Sequence, residues 1–330
     1  MVISPKKPIH AYLDLDMVLF AAASKAEQVF YDYCDSKGNL IESFKDADQG
    51  KKWLANMEMF GFDSECVTRE TRYEIGDLED AKKAFDKMVE RWVKLSGCKK
   101  WTGYVSKATG AKNFRYSVCF SDMYKGNRNP DTRKPYYLED VRKHALTNPN
   151  IKKGVGGVEV DDLVLAMSQR KGERAIVIGG DKDIRTCVGT WFLIPDEMEE
   201  AEFSLADTLG YVYQEDKKIK GCGYLFLISQ AIWGDSADNY KGCKGVGVTG
   251  TVKLLEPFNN KPVSMLEDVV KVATDKFMEI YGDRYELKHC STGEDLCVSG
   301  KDIFIENLTL AYMKKSQNDV CPLIEIVEKV

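Results

Sequence analysis

Histidine is scarce. The chain of 330 residues has three, at positions 10, 144 and 289, so catalysis built on imidazole is poorly supplied. Ten cysteines are present, but no two form a C-x-x-C pair, and His289–Cys290 has no second pair at zinc-finger spacing. Thiols scattered in this way, with no secretory signal, read as reduced cysteines of a cytosolic compartment. No apolar run approaches the roughly 20 residues of a membrane helix. The N-terminal MVISPKKPIH lacks the apolar core of a signal peptide. Internal repeats and low-complexity tracts are also missing.

What is present is an ordinary globular composition, 44% hydrophobic and 30% charged. The length suits one large α/β domain or two unequal ones. A net charge of −5 at first argues against a nucleic-acid partner. Setting aside the eight carboxylates assigned to metal ions below, Asp16 not among them, turns it into +3, so the distribution matters more than the total.

His10–Leu15 reads as an apolar strand and Phe20–Ala26 as the start of a helix. Residues 27–77 carry no clear pattern. Leu78–Ser96 predicts an amphipathic helix, with Ala81, Phe85, Met88, Trp92 and Leu95 at helical spacing. Trp101–Ser106 reads as a strand, Asp161–Lys171 as a helix, Ala175–Ile178 as an apolar strand, Asp181–Cys187 as a helix and Trp191–Ile194 as a strand. That alternation predicts an α/β fold with a mostly parallel sheet. After about residue 200 the strand signal fades. Leu225–Trp233, a segment from Val252, Met265–Tyr281 and Asp302–Met313 all read as helices, around a glycine-rich turn at 242–250.

Acids recur where apolar strands end: Asp14 and Asp16 in YLDLDMVLF, Asp181 and Asp183 in AIVIGGDKD. In parallel sheets, ligand sites form outside the carboxyl ends of the strands. Glu159, Asp161 and Asp162 stand at a helix start, and Asp235 and Asp238 repeat an i, i+3 spacing. So many like charges stay ionised together only with cations among them, and all-oxygen donors suit Mg²⁺ or Mn²⁺. Plainer readings exist for each cluster. Asp161 and Asp162 could serve a helix dipole, Asp183 a helix cap, and Asp235 and Asp238 a turn.

The stretch Lys107–Tyr137 is polar, basic and aromatic, a poor core and a plausible mobile loop or arch. Lys125 and Arg128 are three apart, so one helical face could present both to a phosphate. Arg115, Arg133 and Lys134 would add charge, and Tyr116, Phe120, Tyr124, Tyr136 and Tyr137 could stack bases. Gly242, Gly245, Gly247 and Gly250, with Lys244 and Lys253, suit backbone approach to a phosphate.

In order and wording these motifs resemble the flap endonuclease and 5′–3′ exonuclease family, its bacteriophage members above all. The matching residues are Asp14, the YKGNR stretch from Tyr124 to Arg128, E-V-D-D from Glu159, D-K-D from Asp181, G-D-S-A-D-N from Gly234, and the glycine turn after Tyr240. The resemblance implies a PIN-like 5′-nuclease fold with a helical arch near 107–140. It implies a nuclease domain over 1–200 and a helical DNA-binding domain over 201–330, with a helix–three-turn–helix near 234–256. Two ions of Mg²⁺ or Mn²⁺ are implied. Asp14, Glu159, Asp161 and Asp162 would lie toward one, Asp235 and Asp238 toward the other, and Asp181 and Asp183 between them. Lys125 and Arg128 become the catalytic cations, and Arg115, Tyr124, Lys244, Gly245, Gly247 and Lys253 DNA contacts, with K⁺ at the turn carbonyls. The implied substrates are DNA 5′ ends, flaps and nicks, and RNA–DNA hybrids. A free-standing cytoplasmic monomer in replication or repair, in the host cytoplasm if phage-encoded, is expected. Two positions depart from the family pattern: Ser106 stands where an acid is usual, and Gly180 where Ser or Thr often precedes D-x-D.

Two other readings stay open. Asp14-Leu-Asp16-Met-Val18 fits the D-x-D-x-[TV] of haloacid-dehalogenase phosphohydrolases, whose first Asp is a nucleophile. A non-catalytic DNA-binding module would keep the glycines and lysines but has no need of the acids.

Overall fold

The computed structural model describes residues 5–107, 113–314 and 318–330. Backbone packing divides the chain into two compact units. Met1–Met17, Arg91–Thr132 and Pro149–Val330 make the larger, Val18–Glu90 and Arg133–Asn148 the smaller.

β1 (His10–Asp14) and α1 (Asp16–Lys25) come first. β2 (Glu27–Cys34), β3 (Leu40–Phe44), α2 (Ala47–Met59) and β4 (Thr68–Ile75) follow within the smaller unit, where β2 pairs antiparallel with both β3 and β4. The sequence shows no pattern here because β4 is exposed along all eight residues and alternates nothing. Charge adds to its pairing with β2. Arg72 on β4 donates to Asp32 on β2 at 2.6 Å, and Arg133 pairs with Glu27 at 2.7 Å while lying 3.7 Å over the Tyr73 ring. α3 (Leu78–Ser96) buries Ala81, Phe85 and Trp92 of the expected stripe together with Val89, while Met88 is half-buried and Leu95 is exposed.

β5 (Lys100–Val105) and the short α4 (Arg115–Val118) belong to the larger unit, α5 (Leu138–Ala145) to the smaller. The larger unit continues with β6 (Ile151–Lys153), α6 (Val160–Lys171), β7 (Ala175–Ile178), β8 (Thr190–Leu193) and β9 (Glu202–Ser204). Its sheet runs β6-β5-β1-β7-β8-β9, parallel except for β9 at the edge. β7 is buried on both faces, as its unbroken AIVI requires. Val164 and Leu165 of α6 pack with Tyr12, Val177 and Phe192 from the sheet. The helix expected at Asp181–Cys187 is a tighter 3₁₀ turn, Lys182–Thr186. Among the described residues of 107–137, α4 is the only helix, so the stretch is turns where a helical arch is expected; residues 108–112 lie outside the described residues.

Strands persist beyond residue 200, contrary to expectation. β10 (Tyr211–Glu215) and β11 (Lys218–Cys222) form a hairpin whose Asp216 takes a φ of 52°, the left-handed geometry of a two-residue turn. α7 (Gly223–Trp233), α8 (Val248–Leu255), α9 (Leu266–Tyr281), the pair β12 (Tyr285–Lys288) and β13 (Asp295–Val298), α10 (Gly300–Ala311) and α11 (Ile324–Lys329) complete the chain. α7 is mostly apolar and is buried at Gly223 and from Leu225 to Ile232, and Phe277 of α9 stacks on Phe304 of α10 with centroids 4.8 Å apart. Among the described residues no helix is long and apolar enough to cross a membrane.

Candidate active site

The acids that the sequence singles out gather at the carboxyl edge of the sheet in the larger unit. Asp14 ends β1, and Asp181 and Asp183 follow β7. Glu159 precedes α6 as its N-cap without capping it, and Asp161 and Asp162 occupy the first turn. Asp235 and Asp238 sit in the loop after α7. Carboxylate oxygens of Glu159, Asp161 and Asp162 lie within 4.8 Å of one another, and so do those of Asp183, Asp235 and Asp238.

Between the two groups stands the 123–128 turn. Lys125 reaches Glu159 with its Nζ, which lies 3.6 Å from Asp238 Oδ1. The Tyr124 hydroxyl donates to Asp238 Oδ2 at 2.9 Å and approaches Glu159 Oε2 at 3.2 Å. Arg128 Nη2 donates to Asp238 Oδ1 at 2.9 Å. No helical face presents Lys125 and Arg128. Lys125 has a φ of 54°, and its backbone N–H donates to the Asp238 carbonyl at 2.8 Å, so a turn brings both cations to one carboxylate.

Two expected DNA contacts are placed inside the protein. Arg115 is 4% exposed, and all three guanidinium nitrogens are engaged. Nη1 donates to Glu159 and Asp162, Nη2 to Asp162 and the Tyr312 carbonyl, Nε to the Leu310 carbonyl, all at 2.7–3.0 Å. Asp162 is equally buried, so Arg115 neutralises it, and of the first group it is the carboxylate least open to a cation. Tyr124, 1% exposed, is an internal hydroxyl donor with no face for a base. Of the other expected stacking rings, Tyr116 packs edge-on to Tyr124, Phe120 is half-buried, Tyr137 donates to the Gly76 carbonyl and Tyr136 is exposed.

The alternatives for single acids resolve by geometry. Asp181, not Asp183, caps the 3₁₀ turn, accepting the Asp183 N–H at 3.1 Å. Asp235 does serve its turn, with Oδ1 accepting the Ala237 N–H at 2.7 Å, while Oδ2 meets Lys182.

Crowding shows in the proton affinities. Burial, and then Asp16, Asp181 and Glu159, push Asp14 up to about 7. Burial and Asp183 push Asp181 up to about 6. Asp161 rises well above the carboxylate range through burial, Asp162 and Glu159. Burial also opposes the charge on Glu159 and Asp235, but Arg115 and Lys125 hold the first below its usual value and Lys182 the second. Carboxylates that resist ionising side by side, all with oxygen donors, fit divalent cations.

Sequence reasoning missed two partners. Lys182 donates to Asp183 Oδ1 at 3.1 Å and also reaches Asp235. Gln230 sits 2% exposed on α7 and donates to Asp183 Oδ1. A lone amide in the apolar GYLFLISQAIW was the available signal.

Gly234 caps the end of α7, and Gly242 turns back so closely that a Cβ there would lie 2.4 Å from the Ile232 carbonyl. Lys244, Gly245, Gly247 and Lys253 are exposed on the turn and on α8, away from the carboxylates' hydrogen-bond network. A cavity of about 760 Å³ opens beside the turn, lined in part by Lys244, Gly247, Tyr281 and Tyr285.

No protein-family model matches the chain. A 5′–3′ exonuclease of Bacillus subtilis (strain 168) is 27% identical over 155 residues, 45% of this chain and 50% of that protein. A DNA polymerase I of Rhizobium leguminosarum is 26% identical over 156 residues, 46% of this chain and 14% of that protein. The chain thus spans half or less of the length of these curated relatives. Among solved structures, the bacteriophage T5 D15 protein co-crystallised with metal ions overlaps 75% of this chain and 88% of its own, at 15% identity and a TM-score of 0.44. A pseudo-enzyme–product complex of the T5 flap endonuclease with DNA and metal ions overlaps 75% and 91%, at 16% identity and a TM-score of 0.44. In sequence the chain is similar to a 5′–3′ exonuclease and to a DNA polymerase I, and phage 5′ nucleases are among its structural neighbours.

Proposed function

We propose that the chain is a divalent-metal-dependent 5′ nuclease that hydrolyses phosphodiesters at DNA 5′ ends, flaps and nicks, with RNA–DNA hybrids as a further substrate. The observation that carries this reading is the meeting of two carboxylate groups across one lysine at the carboxyl edge of a parallel sheet. Asp14, Glu159 and Asp161 would hold one ion of Mg²⁺ or Mn²⁺, with Asp162 behind them. Asp183, Asp235 and Asp238 would hold the second, with Asp181 between. Such ions, when bound, supply an activated water and steady a leaving oxygen.

The chain's own residues supply the rest. Lys125 offers an ammonium to the scissile phosphate, and Tyr124 orients Asp238 for it. Arg128, with its side chain 57% exposed, draws the nucleic-acid backbone toward the acids. Arg115 fixes Glu159 and Asp162 in place. The exposed turn at Lys244–Gly247 and Lys253 on α8 would grip duplex phosphates, with K⁺ at the turn carbonyls, as a helix–three-turn–helix. In this division of labour residues 1–200, together with Asp235 and Asp238, cut, and the rest of 201–330 binds, in a cytoplasmic monomer that serves replication or repair.

Digestion of matched blunt, nicked, 5′-flap and RNA-primed duplexes tests the reading. We expect Mg²⁺-dependent products that begin at the 5′ end. Release of phosphate from small monoesters with intact DNA would overturn it in favour of a phosphohydrolase, and DNA binding without any cleavage in favour of a binding module.

A further inference from the structure

We propose that Asp16 is a ligand of the same metal centre, held in place by Ser106 and supplying the carboxylate that β5 does not. This rests on the reading of the clustered acids as a divalent-cation site. β5, β1 and β7 lie side by side in the sheet with their carboxyl ends on one edge. β1 ends on Asp14 and β7 leads to Asp181, but β5 leads to Ser106, a neutral hydroxyl. Ser106 is turned to Asp16. Its backbone N–H donates to Asp16 Oδ1 at 2.8 Å and its hydroxyl to Oδ2. The Asp16 backbone N–H in turn donates to Asp14 Oδ1 at 3.0 Å, so the first turn of α1 is tied to the carboxylate that ends β1.

An acid that served only the dipole of α1 would need no donors from another strand. Here two donors fix the side chain, and each carboxylate oxygen keeps lone-pair capacity for a cation. Ser106 is accordingly a positioning residue, and Asp16 takes the place beside Asp14 that an acid at 106 would otherwise fill.

The test uses the full chain with Mn²⁺ alone, without DNA, by calorimetry. Asp16→Asn should weaken the tightest Mn²⁺ binding roughly tenfold or more, while melting in EDTA stays near that of the unmodified chain. Adding Ser106→Asp to Asp16→Asn should restore binding, because a carboxylate returns to the same place from the other strand. Binding by Asp16→Asn within about twofold of the unmodified chain, with Asp14→Asn losing it, overturns the assignment of Asp16 alone. A double variant as weak as Asp16→Asn overturns it as well. No Mn²⁺ binding by the unmodified chain sinks the metal centre and this assignment with it.

Discussion

Lys125 is the residue at which charge and chemistry can be told apart. Its Nζ lies between Glu159 and Asp238 with the side chain 17% exposed, whereas Arg128 meets the same Asp238 from solvent. Lys125→Ala should lower the single-turnover rate at saturating enzyme by roughly 10²–10³, and low salt should not rescue it. Arg128→Ala should instead weaken binding, recover at low salt, and flatten the log–log salt dependence by about one unit. Full recovery of Lys125→Ala at low salt would leave that lysine a steering charge only.

The residue scale also sets a pH dependence. In the unfolded chain an aspartate ionises near pH 4, but in the fold Asp14 keeps its proton to about 7 and Asp181 to about 6. Across that window the unfolded state binds fewer protons than the folded one, so rising pH favours unfolding. In EDTA, melting temperature should therefore fall between pH 5 and pH 8 (roughly the span above the unfolded value), Asp14→Asn should fall less, and divalent cation should restore the loss. An identical fall in the Asp14→Asn chain would remove Asp14 as a cause.

At the scale of elements, legibility followed burial. β7 and α3 were readable because an apolar run and a helical stripe are what burial on two faces and on one face demand. β4, exposed throughout, and β10–β13, short and half-polar, left no periodic trace. The 3₁₀ turn at Lys182–Thr186 looked helical because its caps and charges match those of a helix start. The turn between α7 and α8 allows a comparison of two glycines. Gly242 has a φ of 65° and no room for a Cβ, whereas Gly247 has a φ of −86° and nothing within 4 Å. Gly242→Ala should lower the melting temperature. Gly247→Val should leave it nearly unchanged and weaken duplex binding more than binding of a short single strand. Equal weakening of both substrates by Gly247→Val would argue against a duplex clamp.

For the whole molecule, the acids were legible as a set, since strand ends, a helix start and a turn are local features. Their partners were not. Arg115 lies 47 positions from Asp162, and Gln230 lies 47 from Asp183, so only the assembled fold reveals that they touch. The basic stretch around Lys125 misled for the same reason. Arg115 and Tyr124 look like surface contacts in a polar run but are drawn inward by buried carboxylates. Charge is also unevenly placed, with eight acids gathered at one edge of the sheet and exposed lysines on the glycine turn.

The central claim is that this edge is a metal-dependent cutting centre, and Asp183→Asn tests it most directly. Asp183 accepts hydrogen bonds from Lys182 and Gln230 and stands within the second carboxylate group; the asparagine keeps its shape and removes its charge. With a 5′-labelled duplex in Mg²⁺, the variant should cleave at least about a hundredfold more slowly than the unmodified chain while binding the duplex almost as tightly. Cleavage at a near-normal rate, or equal cleavage by both chains in EDTA, would contradict the account.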